Sequence, residues 1–308
     1  MSKSTPRKAL IIGARSVRQG TGPFIASGLA RAGAHIAGIV GTSEPSVSEA
    51  LDGLQATWDI ATQGFTDMST ALETVQPDIV ALCSPWRFHG DQLLQVAQAG
   101  CHCLVEKPMA WPASEAQASE IVSAFEQQGL LLQVVSQWPT TLATFESLHG
   151  KLPAPIQNFS MRLSPISIGK DMLTDSAPHF ISMLQALAGS GDCSNCVIAT
   201  DESRQKLTLD CHYEHPQGVI EARLILATCA QRPRPAWYEI NGLRAERAVS
   251  LPDYQQSLAG AGRSVDFKDP IHQVTANFLA DLANGVITDG NSLRSAHGNL
   301  LQLARAWR

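Results

Sequence analysis

The sequence predicts an α/β chain in two parts: a doubly wound parallel sheet at the N-terminus, then an α+β domain with a mostly antiparallel sheet. Three observations carry this. Short, continuously apolar runs alternate with helix-period segments up to about residue 136, as in βαβ units whose strands are covered on both faces. Beyond that point strand-like runs follow one another without helices, as in an antiparallel sheet. The chain has 308 residues, 44% hydrophobic and 17% charged, enough for two domains with sizeable cores.

The elements follow in order. Ala9–Ile12 is a short apolar run ending at Gly13. Pro23–Ala32 has helical spacing and stops at Gly33, His35–Val40 is a second strand, and Val47–Leu54 is helical. Met68–Thr74 is a helix with Asp67 as its cap, and Asp78–Cys83 is a strand. Asp91–Gln98 is a helix stopped by Gly100, Cys101–Val105 a strand, Ala113–Gln128 a longer helix and Leu130–Val135 a strand. Ile156–Leu163 then alternates as a half-exposed strand, and a helix around Pro178–Leu187 follows. Pro178 suits a first helical turn, so this helix is expected to start there. Cys193–Thr200, Lys206–Tyr213, Val219–Ala227 and Trp237–Asn241 read as strands. Asp269-Pro270 opens a helix over Ile271–Leu282, and Asn291 or Ser292 opens a last one to Trp307. The boundary falls near Ser136–Pro139, giving domains 1–137 and 138–308.

A net charge of −5 excludes a general binder of nucleic acid or anionic membranes. No apolar run approaches the ~20 residues of a membrane helix, and the polar start Met1–Lys8 leads straight into a strand. A cytoplasmic protein without a signal peptide is therefore expected. Seven cysteines, an odd number in a chain too large to need staples, fit reduced thiols. Cys193 and Cys196 have the spacing of half a zinc site or of a redox pair, but no second pair follows, and no metal is expected. Cys101 and Cys103 read as small buried hydrophobes.

Two segments carry chemistry. The turn after the first strand runs from Gly13 through Arg15, Ser16, Arg18 and Gly20 to Gly22-Pro23. It is longer than a G-x-G-x-x-G turn, yet strand, glycine turn, helix and second strand come in the order of a Rossmann-type nucleotide site, with backbone N–H groups at the helix start for a pyrophosphate. After the second strand, Gly41-Thr42-Ser43 offers no carboxylate at the tip, and Glu44 comes one residue late. Small hydroxyls with Arg15 or Arg18 nearby suit a 2′-phosphate, so NADP is preferred over NAD, with Glu44 as the rival feature. The second segment is Glu106-Lys107-Pro108. Lys107 is the sole lysine between Lys8 and Lys151. It ends a buried strand, where open α/β sheets place their chemistry. Desolvated, it can exchange a proton near neutral pH; an ordinary turn lysine is the plainer alternative.

With these segments the chain resembles the Gfo/Idh/MocA family of nicotinamide-dependent oxidoreductases. The resemblance rests on the order of the N-terminal elements, on Ser84-Pro85-Trp86-Arg87-Phe88-His89, on Glu106-Lys107-Pro108, and on Asp175-Ser176-Ala177-Pro178-His179. It implies that Lys107, Asp175 and His179 face the nicotinamide and the reacting carbon, and that Ser84, Pro85, Glu106 and Lys107 border the cofactor. His89 either approaches the nicotinamide or simply begins the next helix; Trp86 packs beside adenine or covers the sheet. His179, read in the first turn of its helix, would be kept a neutral base by the positive helix end, with Asp175 orienting it. After the sixth strand the family often carries an arginine that meets substrate; here Ser136-Gln137-Trp138-Pro139 stands instead. Trp138 stacks on a sugar or aromatic ring or belongs to the core, and the lost charge argues against an acidic substrate. The leading expectation is an NADP-dependent dehydrogenase or reductase of a sugar or polyol, with Lys107, His179 and Trp138 meeting the substrate. One alternative is reduction of a C=N bond or conjugated ring compound in a pocket lined by Trp138, Trp237 and Tyr238; another is a non-catalytic nucleotide-binding regulator. The resemblance also implies a homodimer or homotetramer formed through the C-terminal sheet at Leu207–Cys211 and Val219–Leu226. The departures are the atypical glycine turn and a chain shorter than many members, which suggests a lost strand or loop in the second sheet.

Overall fold

Two sheets organise the chain in the computed structural model, which describes residues 6–15, 20–250 and 254–307. The first is built from β1 (Lys8–Ile12), α1 (Gly22–Arg31), β2 (His35–Val40), α2 (Glu44–Trp58), β3 (Gly64–Phe65), α3 (Met68–Val75), β4 (Ile79–Leu82), α4 (His89–Gln98), β5 (His102–Val105), α5 (Glu115–Gln127) and β6 (Leu132–Val134). Its strand order is β3-β2-β1-β4-β5-β6, and every pair is parallel. This is the doubly wound order whose ligand crevice lies at the carboxyl ends of β1 and β4, where the winding reverses. β4 is buried along its whole length, which explains its unbroken apolar run. Side chains fix the helix starts: Asp67 Oδ2 accepts from the Thr70 N–H at 2.7 Å, and Ser43 with Ser46, and Ser114 with Gln117, close capping boxes.

The second sheet follows α6 (Leu142–His149) and contains β7 (Asn158–Leu163), then, after α7 (Asp171–Ala188), β8 (Asp192–Thr200), β9 (Lys206–His215), β10 (Gly218–Ala227), β11 (Trp237–Ile240), β12 (Leu243–Val249), β13 (Gln256–Gly260) and β14 (Arg263–Phe267). The order is β14-β13-β12-β11-β7-β10-β9-β8; only β7 and β10 pair in parallel. The sheet has eight strands, and β12, β13 and β14 are ones the sequence reading omits. They are short or charged, with few buried positions, so neither periodicity nor an apolar run marks them. Helix α7 packs on β7, β9 and β10, and α6 on β12, β13 and β14. Phe159 stacks on Phe180 at 5.6 Å and Phe145 on Tyr238 at 5.5 Å between these layers. On the other face Arg223 pairs with Asp210 at 2.5 Å, directly across β10 and β9.

Two helices close the chain, α8 (Pro270–Ala283) and α9 (Gly290–Arg305). The compact units are Met1–Val135 with Ile271–Gly290, and Ser136–Pro270 with Asn291–Arg308. A continuous second domain over 138–308 is thus corrected. Val274, Phe278 and Leu282 of α8 join the apolar cluster of Ile25, Ala26 and Leu29 in the first unit, and a Cβ on Gly28 would collide with the Thr275 side chain. A helix contributed from the far end of the chain leaves no local sequence signal.

The start of α7 is also corrected. It begins at Asp171, so Pro178 lies inside it. Proline's fixed φ is compatible with a helix; inside one it removes an N–H and its ring crowds the carbonyl four residues back, together costing about 3 kcal/mol. Burial of Met172, Leu173, Ala177, Phe180, Ile181 and Leu184 offsets this. Their helical spacing runs unbroken through Pro178, the signal that identifies the longer helix.

Candidate functional site

At the carboxyl end of β1 the chain turns at Gly13, with φ +88°. Its N–H reaches the Val40 carbonyl at 3.0 Å. A Cβ there would lie 2.8 Å from the Cys83 carbonyl oxygen, and one on Gly22 would run into the Gly13 carbonyl oxygen. The two glycines therefore divide the work of the shorter turn: Gly13 makes the bend and Gly22 lets α1 start against it. Gly20 lies half-buried before α1, while Ser16 and Arg18 fall outside the described residues. This cradle of bare backbone at a helix start fits the pyrophosphate of a dinucleotide.

Arg15 is partly committed. Its Nη2 meets Glu49 Oε2 on α2 at 2.5 Å, with both side chains substantially exposed, while its Nε is buried with no partner. Glu49 was not foreseen, because nothing in the local pattern couples a residue of α2 to the first turn. Thr42, Ser43 and Glu44 at the tip of β2 are exposed; the Ser43 hydroxyl accepts from the Ser46 N–H at 3.4 Å as the α2 cap.

Past β4, Pro85 and Trp86 are exposed, and the Ser84 hydroxyl donates to Gln92 Oε1 at 2.5 Å. His89 is corrected as a cofactor contact. It has no exposed surface, and its ring nitrogens lie 3.0 Å from the Pro108 carbonyl and 2.8 Å from the Ser84 carbonyl. It opens α4 and ties the turn after β4 to the turn after β5. Burial pushes its pKa down, against the pull of those carbonyls and of Glu106. Lys107 and Glu106 are half-buried, and the Lys107 N–H donates to Glu106 Oε2 at 3.2 Å. Lys107 thus stands where the sequence reading places it, at the end of β5.

In the second unit Asp175 and His179 both lie within α7, one turn apart and on one face. The helix-end argument for a neutral His179 therefore lapses, but the spacing keeps Asp175 on the same helix face as His179. Asp175 is exposed and His179 half-buried. Asp175 Oδ2 accepts from the Ser167 hydroxyl at 2.9 Å. The Ser182 hydroxyl donates to the His179 carbonyl at 2.8 Å and accepts from Ser136 at 2.6 Å.

Trp138 is core. It is 3% exposed, edge-on to Tyr238 at 6.1 Å and capped by the Arg247 guanidinium at 5.4 Å. Tyr238 is fully buried as well, and Trp237 carries Arg244 on its ring at 3.9 Å. The proposed aromatic pocket is thereby filled. Cys193, Cys196 and Cys211 form a thiol group. The β8–β9 ladder slips between Ser194 and Val197, so Cys211 faces Asn195 and Cys196 together. Contact with Cys193, then burial, pushes Cys211 up, and contact with Cys211 pushes Cys196 up; these are protonated, weakly nucleophilic thiols. Among the described residues no group of three His, Cys, Asp or Glu is set to hold a metal, and no helix is long and apolar enough to cross a membrane.

Residues 7–136 match the model of the oxidoreductase family GFO_IDH_MocA with its NAD-binding Rossmann fold. The match covers 130 of the 308 residues. A 52-residue segment is 42% identical to D-glucoside 3-dehydrogenase of Escherichia coli (strain K12), covering 17% of this chain and 15% of that protein. Two solved structures match nearly end to end. UDP-N-acetylglucosamine 3-dehydrogenase from Acidithiobacillus ferrooxidans has TM-score 0.72 at 18% identity, covering 98% of each chain. Levoglucosan dehydrogenase, in complex with NADH and levoglucosan, has TM-score 0.73 at 14% identity, covering 99% of this chain and 98% of the other. At these identities the likeness is one of fold.

Proposed function

We propose that this protein is an oxidoreductase that moves a hydride between a nicotinamide dinucleotide and a hydroxyl-bearing carbon of a sugar or polyol. The observation that carries this is the Gly13–Gly22 cradle at the carboxyl end of β1, within the stretch that matches the oxidoreductase family. The sugar class is supported by the relatives named above, which act on glycosides or sugar derivatives.

The bound nicotinamide supplies the hydride acceptor or donor. The chain supplies the proton chemistry. Oxidation of an alcohol requires its hydroxyl proton to leave as hydride departs, and the reverse requires protonation of an alkoxide. His179 takes or returns that proton, Asp175, one turn away on α7, orients it or binds a second hydroxyl, and Lys107 polarises the oxygen.

NADP is the preferred cofactor in this reading. An exposed ion pair such as Arg15–Glu49 is worth about 0–1 kcal/mol, so Arg15 exchanges it cheaply for a dianionic 2′-phosphate, with its unpartnered Nε as a further donor. The protein is also read as a cytoplasmic homo-oligomer pairing through the outer face of β9 and β10. Fluorescence titration with NADPH and NADH, followed by turnover on a panel of sugars and polyols, tests the core of the proposal. Tighter NADPH binding with turnover of at least one sugar is expected; binding of neither nucleotide overturns it. Sedimentation of the purified protein tests the oligomer.

A further inference from the structure

We infer that the second unit carries an oxyanion subsite built on Arg247, so that the substrate is a sugar bearing a carboxylate or a phosphate. This rests on the reading of the site as a sugar oxidoreductase and reverses the argument, drawn from the segment after β6, against an acidic substrate.

Arg247 lies on β12, its N–H bonded to the Ala236 carbonyl at 2.9 Å. Its side chain folds over Trp138, and one Nη donates to the Arg234 carbonyl at 3.3 Å. Its Nε is buried and has no partner, and among the described residues no carboxylate pairs with it. Burial and the charge of Arg234 both disfavour its ionised form. A buried guanidinium N–H without a partner is costly, and proteins keep such groups where an anion completes them. Its planar fork matches carboxylate and phosphate oxygens.

Its position ties it to α7. On one side Arg247 covers Trp138, two residues beyond Ser136, whose hydroxyl bonds Ser182 below His179. On the other, Arg234 Nε donates to the Cys229 carbonyl at 3.0 Å, the adjacent Thr228 hydroxyl to the Ser167 carbonyl at 3.0 Å, and the Ser167 hydroxyl to Asp175. The contacts form a closed circuit within one unit, with Asp175 and His179 on its helical side and Arg247 on its sheet side.

The test uses the full chain with NADP present and three probes: UDP, D-glucuronate and D-glucose. Thermal melting and tryptophan fluorescence are followed for wild type, Arg247→Met and Arg247→Lys. UDP or glucuronate is expected to raise the melting temperature and quench fluorescence while glucose does neither. UDP alone identifies a phosphate-bearing sugar, glucuronate alone a sugar acid. Arg247→Met, relieved of an uncompensated charge, is expected to melt no lower than wild type without ligand and to bind the anion at least about tenfold more weakly. Arg247→Lys keeps the charge and loses the fork, so an intermediate affinity is expected, and it stands in should the Met variant misfold. Equal binding of the anions and glucose by wild type, or undiminished anion binding by the variants, overturns the subsite. Anion binding without turnover of any substrate leaves the subsite standing and sinks the oxidoreductase reading; turnover of neutral sugars unaffected by Arg247→Met does the reverse.

Discussion

In the first unit β1 and β4 are buried almost without interruption, whereas in the second β9 and β10 bury alternate residues. A sheet covered on both faces has no side chain to spare for chemistry, so its functional groups stand in the turns beyond the strands, and bare backbone does much of the binding. A sheet with one open face keeps polar side chains along its length, and the proposed site of the second unit draws on a helix face and a circuit of hydroxyls and arginines. In the first unit glycine shapes the turn backbone after β1; in the second, side chains bond one another around α7.

The contrast can be broken most sharply at the proton-transfer groups. Lys107→Ala in the first unit and His179→Ala in the second are each expected to lower kcat by about 10²- to 10⁴-fold while nucleotide affinity changes little. Steady-state turnover and NADPH titration check this together, and full turnover in either variant removes that residue from the mechanism. Next comes Gly13→Ala. A side chain at φ +88° facing the Cys83 carbonyl is expected to cost about 1–3 kcal/mol of stability and to weaken both nucleotides alike. By contrast Gly262, also at positive φ but with open space around it, should lose only about 1 kcal/mol on the same change, read by urea denaturation.

Acid should act through the first unit. Burial lowers the pKa of His89 and His102 below the ordinary 6.5, and His102 Nδ1 must stay unprotonated to accept the Leu131 N–H at 3.0 Å. Below pH 6.5 the unfolded chain binds protons that the folded chain refuses, so stability is full above that pH and falls as pH drops towards the folded values. The slope is at most about 1.4 kcal/mol per pH unit for each ring. Melting temperature against pH measures it, and His102→Gln, which keeps an acceptor for Leu131, should flatten the curve. The smallest effect is expected from Glu49→Gln. Releasing Arg15 should tighten NADPH about twofold to fivefold and leave NADH unchanged; an equal gain for both nucleotides would detach Arg15 from the 2′-phosphate.

The same contrast governs what could be read from the sequence. Strands of the first sheet announce themselves as apolar runs, so the positions of Gly13, Ser84 and Lys107 in the turns after them were legible. His89 was not settled, because whether a histidine at a helix start faces out or in depends on the carbonyls of Ser84 and Pro108, which the fold brings to it. In the second unit Asp175 and His179 were visible as a pair, but Pro178 misplaced the start of their helix by outweighing the apolar stripe around it. Arg247 was invisible: it sits in a charged strand without periodicity, and only its packing on Trp138 gives it meaning.

Helix α8 has one more consequence. Val274, Phe278 and Leu282 complete the apolar cluster around α1, so synthesis must pass residue 282 before the first unit can finish its interior. A fragment cut at residue 137 would leave Ile25 and Leu29 without that cover and should aggregate rather than fold. Excising this half for study therefore calls for grafting residues 271–290 back onto its end.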